Sequence, residues 1–347
     1  MSTLNTSRIG SGFRNSASGL VAVFATLFGL LLVTFVIGRA MPVDPVLAIV
    51  GDRAAPDVVA RVRLELGLDK PLTEQFWIYL QHLSHGDFGT SVMTGQSVLG
   101  DVLHFFPATM ELATTAICIA VLLGVPLGVL AAARAGSRLD SAIRFISITG
   151  QSTPVFVQAL LCLVIFYVKL DMAPGVGQQN IGYLGMVPAR TGALVIDAAL
   201  DGQWDVFRDA LAHLAMPALM LAFVSMSMIV RMTRTLMLDA LAGEFVITAR
   251  AKGLSPMRVL WRHAFANVSG RLLVVIALAY AGLLEGAVLT ETVFAWPGLG
   301  QYLTRSLLNA DMNAVLGATI VIGTVYVTLN FIADVGYRML DPRVKQK

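Results

Sequence analysis

Long uncharged runs alternate with shorter polar stretches along the chain. Apolar windows cover 19–38, 112–133, 145–168, 210–230, 272–290 and 312–333. Each is long enough, as a helix, to cross about 30 Å of hydrocarbon. Only His213 breaks the fourth run, and only Glu285 breaks the fifth. The first run is too long for a signal-peptide core and lacks a small-residue cleavage pattern, so it is expected to be retained. The pattern predicts an all-α integral membrane protein with six transmembrane helices, one N-terminal plus a five-helix core.

The polar stretches carry their own periodicities. Between 39 and 107, apolar residues at Val58, Val59, Val62 and Leu66 give a helix over 57–66, and Pro71 opens a second through Leu83. A turn follows at Gly86–Gly89, then a third short helix over 98–106. Together these predict a small helical cap. The stretch 171–209 is Gly-rich, Pro-rich and acidic, and reads as a loop with one surface helix near Trp204. From 291 to 311, a Trp296-Pro297-Gly298 turn precedes a short amphipathic helix. Irregular backbone at that depth needs protein or a watery cavity to satisfy it.

Composition agrees with the spans. Hydrophobic residues make up 56% and charged residues 14% of the 347, with mean hydropathy +0.74. Soluble domains carry about 25% charged residues. The net charge of +3 is small and sorted by side, which suggests no nucleic-acid role. With the N-terminus inside, most Lys and Arg fall in cytoplasmic segments and most acids outside. That asymmetry supports both termini in the cytoplasm and the cap on the outer face. Cys118 and Cys162 lie in apolar runs without metal-ligand or disulfide spacing, and read as small core residues.

One polar stretch, 244–267, is strongly basic. From 231 to 271 the cations are Arg231, Arg234, Arg250, Lys252, Arg258, Arg262 and Arg271, against Asp239 and Glu244. Helix formers flank Gly253, and Ser255-Pro256 reads as a helix start. The expectation is helix, glycine turn, helix on the cytoplasmic face. Such a pair either docks a soluble partner or is a solvated connector.

Motifs for self-contained chemistry are missing. None of the lysines follows a glycine, so no G-x-x-x-x-G-K-[ST] phosphate loop exists. Neither H-E-x-x-H nor G-x-S-x-G occurs. His82 and His85 stand three apart without evident further ligands, and read as a surface helix face. Acids inside spans point to function by default. Glu285 either faces a watery path or reaches an interfacial partner. Asp334 has the spacing to pair with Arg338, and Glu111 could snorkel to the outer interface. Two rival readings remain. An intramembrane hydrolase would need a base, and His213 is the one histidine in a span. An ion-coupled secondary carrier would need broken helices with paired charges.

A series of segments then resembles the membrane-spanning permease of bacterial dipeptide/oligopeptide ABC importers, a group that includes nickel importers. They are RAMPVDP at 39–45, LGLDKPLTEQF at 66–76, GDFGTS at 86–91 and FPATMELA at 106–113. STPVF at 152–156, HLAMPAL at 213–219, RMTRTLMLDAL at 231–241, TARAKGLS at 248–255 and RHAFAN at 262–267 follow. GAVLTETVFAWPGLG at 286–300 and LDPRVK at 340–345 complete them. The resemblance runs nearly end to end.

It implies that the loop within 232–271 couples to an ATPase subunit. The family motif E-A-A, three residues, Gly falls on Ile247, Thr248, Ala249 and Gly253, with Ile in place of Glu and Glu244 one turn earlier. Small Ala249, Ala251 and Gly253 would allow close approach, while Arg250, Lys252 and Arg258 would pair with acids on the partner. The chain then divides into a first span (1–38), a periplasmic cap (39–108), a permease core (109–338) and a cytoplasmic tail (339–347). The implied partners are a second homologous permease, two ATP-binding subunits, a periplasmic substrate-binding protein and membrane lipid. No cofactor is expected in this chain; ATP and Mg would bind the partner ATPases. Glu285, Trp296, Pro297 and Gly298 are the candidates for the translocation path or outer gate. Dipeptides, longer peptides, nickel complexes and other small solutes all fit such a permease.

Overall fold

A computed structural model describes residues 6–40, 45–51, 53–65 and 67–340. In chain order the helices are α1 (Thr6–Ala40), α2 (Pro45–Val50), α3 (Pro56–Glu65), α4 (Leu72–Ser84) and α5 (Val98–Ala133). Next come α6 (Arg138–Ser152), α7 (Val155–Cys162, running on as a π-helix over Leu163–Lys169), α8 (Leu194–Leu200) and α9 (Trp204–Leu241). The last are α10 (Glu244–Ala251), α11 (Pro256–Arg258, running on as a π-helix over Val259–Phe265), α12 (Ala266–Val293), α13 (Leu299–Leu308) and α14 (Met312–Leu340).

Among the described residues, four helical runs are long and apolar enough to cross a membrane: Val98–Ala133, Trp204–Leu241, Pro256–Val293 and Met312–Ala333. The pair Arg138–Ser152 and Val155–Lys169 makes a fifth if its 103° bend is counted within one span. Val23–Arg39 is a shorter apolar helix.

Several expectations change. The short helix over 98–106 is the first part of α5, because Pro107 sits inside that helix without ending it. Trp204 likewise opens the long α9 rather than a separate surface helix; the surface helix is α8. The third apolar run is bent between Ser152 and Val155, where Pro154 removes a donor and disfavours a helical preceding residue. Cys118 is exposed on α5 rather than packed in a core. The Asp334–Arg338 pairing and the 340–345 motif lie outside what is described of the side chains and the chain, as does most of the 39–45 motif.

Two compact units divide the chain. The first comprises 1–104 and 302–331. In it Phe76 of α4 meets Phe28 and Phe35 of α1 edge-on at centroid distances of 5.8 and 5.2 Å. The buried carboxylate of Asp311 accepts from the Ser91 hydroxyl (2.6 Å) and the Met93 N–H (3.0 Å). Asp101 accepts from Tyr302 Oη (3.0 Å) and Thr94 Oγ1 (2.6 Å). The second unit comprises 105–301 and 332–347. Its core joins α5, α7, α9 and α12 through residues such as Leu112, Leu221, Ile229, Met237 and Leu272. Close approach depends on small residues, since lipid gives apolar surfaces little reason to leave it. At Gly128 on α5, a Cβ would lie 2.6 Å from Thr233 Cβ on α9.

Candidate functional site

The basic loop folds as two helical segments about a glycine. α10 buries Val246 and Ala249, which pack with Val259 and the half-buried Leu254. Gly253 takes φ +75°, its N–H donating to Arg250 O (2.9 Å) while the Leu254 N–H donates to Ala249 O (3.3 Å). A left-handed residue at this point favours glycine and ends the helix. Pro256 then occupies the first turn of α11, where a missing N–H costs nothing. The second segment is no separate surface helix. It runs through the π-helical turns into α12, so Pro256–Val293 forms one long run.

This turn sorts the candidate residues. Glu244, Thr248, Arg250, Ala251, Lys252, Gly253 and Arg258 are exposed. Ala249 belongs instead to the small core beneath them. Apolar side chains share the exposed surface: Ile247 is 64% exposed and Met257 65% exposed, with Phe245 beside them in sequence at 39%. Sequence reading marked Ile247 only as a departure from a motif and passed over Met257. Their signal was available, as apolar residues in a polar stretch where none is needed for a span. A face that is apolar and ringed by cations is suited to another protein's apolar, acidic surface.

The Trp296-Pro297-Gly298 turn has a different character. Trp296 is fully buried, its Nε1 donating to Ala108 O (3.0 Å), and Gly298 is buried as well. Beneath them lies Glu291, the first residue of the 291–311 stretch. It is fully buried at the end of α12. Its Oε1 accepts from Thr109 Oγ1 (2.6 Å), and its Oε2 from the N–H groups of Gly300 (2.7 Å) and Gln301 (3.1 Å). Those two N–H groups belong to the first turn of α13, so the carboxylate caps that helix from outside the chain segment. Thr109 also accepts from the Leu299 N–H (2.8 Å). A Cβ on Gly298 would collide with the Glu291 carboxylate carbon, and one on Gly300 would lie 2.5 Å from Val288 Cα. Glu285, by contrast, is exposed on α12.

Glu111 is also corrected. It does not snorkel; it is buried, with Oε1 accepting from the Val195 N–H (2.8 Å) and Oε2 from Gln178 Nε2 (3.2 Å). At the bend after α6, Gln158 Nε2 donates to Gly150 O (2.8 Å) and Thr153 O (2.9 Å), satisfying carbonyls left open by the break. The His82 imidazole bonds Asp87 Oδ2 (2.9 Å), and no group of three or more metal-ligating residues occurs among the described residues.

The comparisons with known proteins fit this architecture. The family described as "Binding-protein-dependent transport system inner membrane component" matches residues 124–346, and its N-terminal companion matches 16–113. The chain is 42% identical over 331 residues to the probable D,D-dipeptide transport system permease protein DdpB of Escherichia coli K12, covering 95% of this chain and 96% of that relative. It is 37% identical over 332 residues to the di/tripeptide transport system permease protein DppB of Pseudomonas aeruginosa, covering 95% and 98%. It is also 37% identical over 327 residues to the dipeptide transport system permease protein DppB of Escherichia coli K12, covering 94% and 96%. With a family match that runs from the middle of α5 to residue 346, and relatives aligned over nearly their full length, this chain belongs to the family of inner membrane components of binding-protein-dependent transport systems.

Proposed function

We propose that this chain is the permease subunit of an ATP-driven peptide importer, forming half of the path for di- or oligopeptides across the inner membrane. The names of its relatives support the peptide cargo. The observation that carries the coupling role is the exposed face around Gly253, apolar at Ile247 and Met257 and cationic at Arg250, Lys252 and Arg258.

In this reading α1, the bent α6–α7 pair and the four long runs give six spans, with both termini in the cytoplasm. The helices α2–α4 form the periplasmic cap. A second homologous permease completes the path, two ATP-binding subunits hold ATP and Mg, and a periplasmic binding protein delivers the peptide. The chain itself catalyses nothing. Closure of the ATPase subunits pushes on the α10–Gly253–α11 elbow. Because α11 runs without a break into α12, that push is delivered directly to a span. Coupling works only if the ATPases bind the inward and outward states with different affinity. At the other end of α12, Glu291 fixes the start of α13, so the Trp296-Pro297-Gly298 turn is a rigid seat for the outer gate. Glu285, exposed on the same helix, is the candidate to line the path.

The test is transport by complexes carrying Gly253→Trp or the charge reversals Arg250→Glu and Lys252→Glu. Each should insert normally but lose ATP-dependent peptide uptake and co-purification of the ATPase subunits. Normal uptake by Gly253→Trp refutes the coupling role.

A further inference from the structure

The coupling elbow and the outer turn leave one built recess unexplained. It lies between α6 and α9, offers about 100 Å³ of room, and is lined by residues one helical turn apart on each helix. Three guanidinium groups, Arg144, Arg231 and Arg234, border walls that include Ile148 and Val230.

The three cations are not equivalent. Arg234 is held by the fully buried Asp140, its Nε donating to Oδ1 (2.6 Å) and its Nη2 to Oδ2 (2.8 Å). That pairing uses both carboxylate oxygens. Arg144 lies 3.5 Å from the same carboxylate with its side chain 52% exposed, and Arg231 is exposed. The carboxylate is thus already taken up by Arg234 with Arg144 beside it, and the exposed Arg231 and half-exposed Arg144 keep donors for another anion. The mouth of the recess is apolar: Ile148 is 61% exposed and the neighbouring Phe145 71% exposed.

We propose that this recess binds one anionic phospholipid of the cytoplasmic leaflet. Its phosphate sits on Arg144 and Arg231, and a chain leaves along Ile148 and Phe145. Guanidinium forks match phosphate oxygens two at a time. Basic pockets between membrane helices on the cytoplasmic side are suited to anionic headgroups. The room is that of a headgroup phosphate rather than a whole lipid, which fits a molecule anchored there and extending outward. A soluble anion would not account for the apolar mouth. The bound lipid would bridge α6 to α9 beside the Asp140–Arg234 pair.

This inference rests on the orientation proposed above. The full-length chain, purified in a neutral detergent, is titrated with phosphatidylglycerol or phosphatidylcholine of identical chains and read by native mass spectrometry. The wild type should retain phosphatidylglycerol at roughly tenfold lower concentration than phosphatidylcholine. Arg144→Gln/Arg231→Gln should abolish that preference, and Arg144→Lys/Arg231→Lys should restore most of it. Equal retention of the two lipids, or an unchanged preference in the Gln variant, overturns the proposal. So does displacement of phosphatidylglycerol by millimolar inorganic phosphate, which would mark a free-anion site. If the double Gln variant aggregates, Arg231→Gln alone carries the same test, since that side chain is exposed. Detergent binding is blind to sidedness. Labelling of Arg231→Cys in intact cells reads the orientation separately.

Discussion

Glu291 joins two helices that the chain separates by an irregular turn, and it does so as a buried acceptor of three hydrogen bonds. Removing it leaves those donors without partners in a dry site, at a cost of about 1–3 kcal/mol each at most and less after relaxation. Glu291→Ala should lower the thermal midpoint of the solubilised protein by several degrees, about 2–4 °C per kcal/mol. Gly298→Ala should do likewise by overpacking, since a Cβ has nowhere to go but into that carboxylate. Unchanged midpoints in both would remove Glu291 as the anchor of the turn. A second carboxylate makes a pH-dependent case outside the spans. Burial alone would raise the pKa of Asp197, but the Thr191 hydroxyl and the N–H groups of Arg190, Thr191 and Gly192 outweigh it and hold the group below its ordinary value. A depressed folded-state pKa gives stability that is present above the unfolded-state value, about 3.9, and is lost as pH falls through the folded value. The acid limb of a stability–pH profile should therefore flatten in Asp197→Asn, and an identical limb in wild type and variant would contradict this.

Among the elements, α6 and α9 are pinned by a pair far apart in sequence. Asp140 has no exposure and Arg234 keeps only 20%. Breaking such a pair from one side strands a buried charge, at about 3–5 kcal/mol. Arg234→Ala should thus be more damaging than Asp140→Asn, which leaves a neutral group behind; the order is read from detergent-solubilised unfolding midpoints. The reverse order would mean that the buried carboxylate is not the costly partner. These contacts also mark where sequence reading stopped. Hydropathy located the apolar runs and the glycine elbow, because both are local: a window length and a left-handed position between helix formers. It could not join Asp140 to Arg234, or Glu111 to Val195, because each pairing is made by folding rather than by spacing. The bend at Pro154 was foreseeable from proline chemistry, yet the uncharged run around it hid the break. Pro107 misled in the opposite direction, since tertiary context keeps α5 continuous through it.

At the scale of the whole molecule, legibility was greatest where many weak signals had to agree. The ordered series of motifs points to the permease family, and the relatives aligned over nearly the full chain confirm it. The Trp296 turn was legible as irregular, but its seat on Glu291 was not: the same carboxylate reads equally well as a solvated outer acid. The central claim is that a peptide permease is driven through its cytoplasmic elbow by ATPases it does not contain. Lipid vesicles containing the assembled complex, loaded with peptide-bound receptor outside and ATP at the ATPase face, test it most directly. Peptide should accumulate in wild-type vesicles only with the ATPase subunits present, and not at all with Gly253→Trp. Uphill uptake by this permease without any ATPase subunit, or undiminished uptake by Gly253→Trp, would contradict the account.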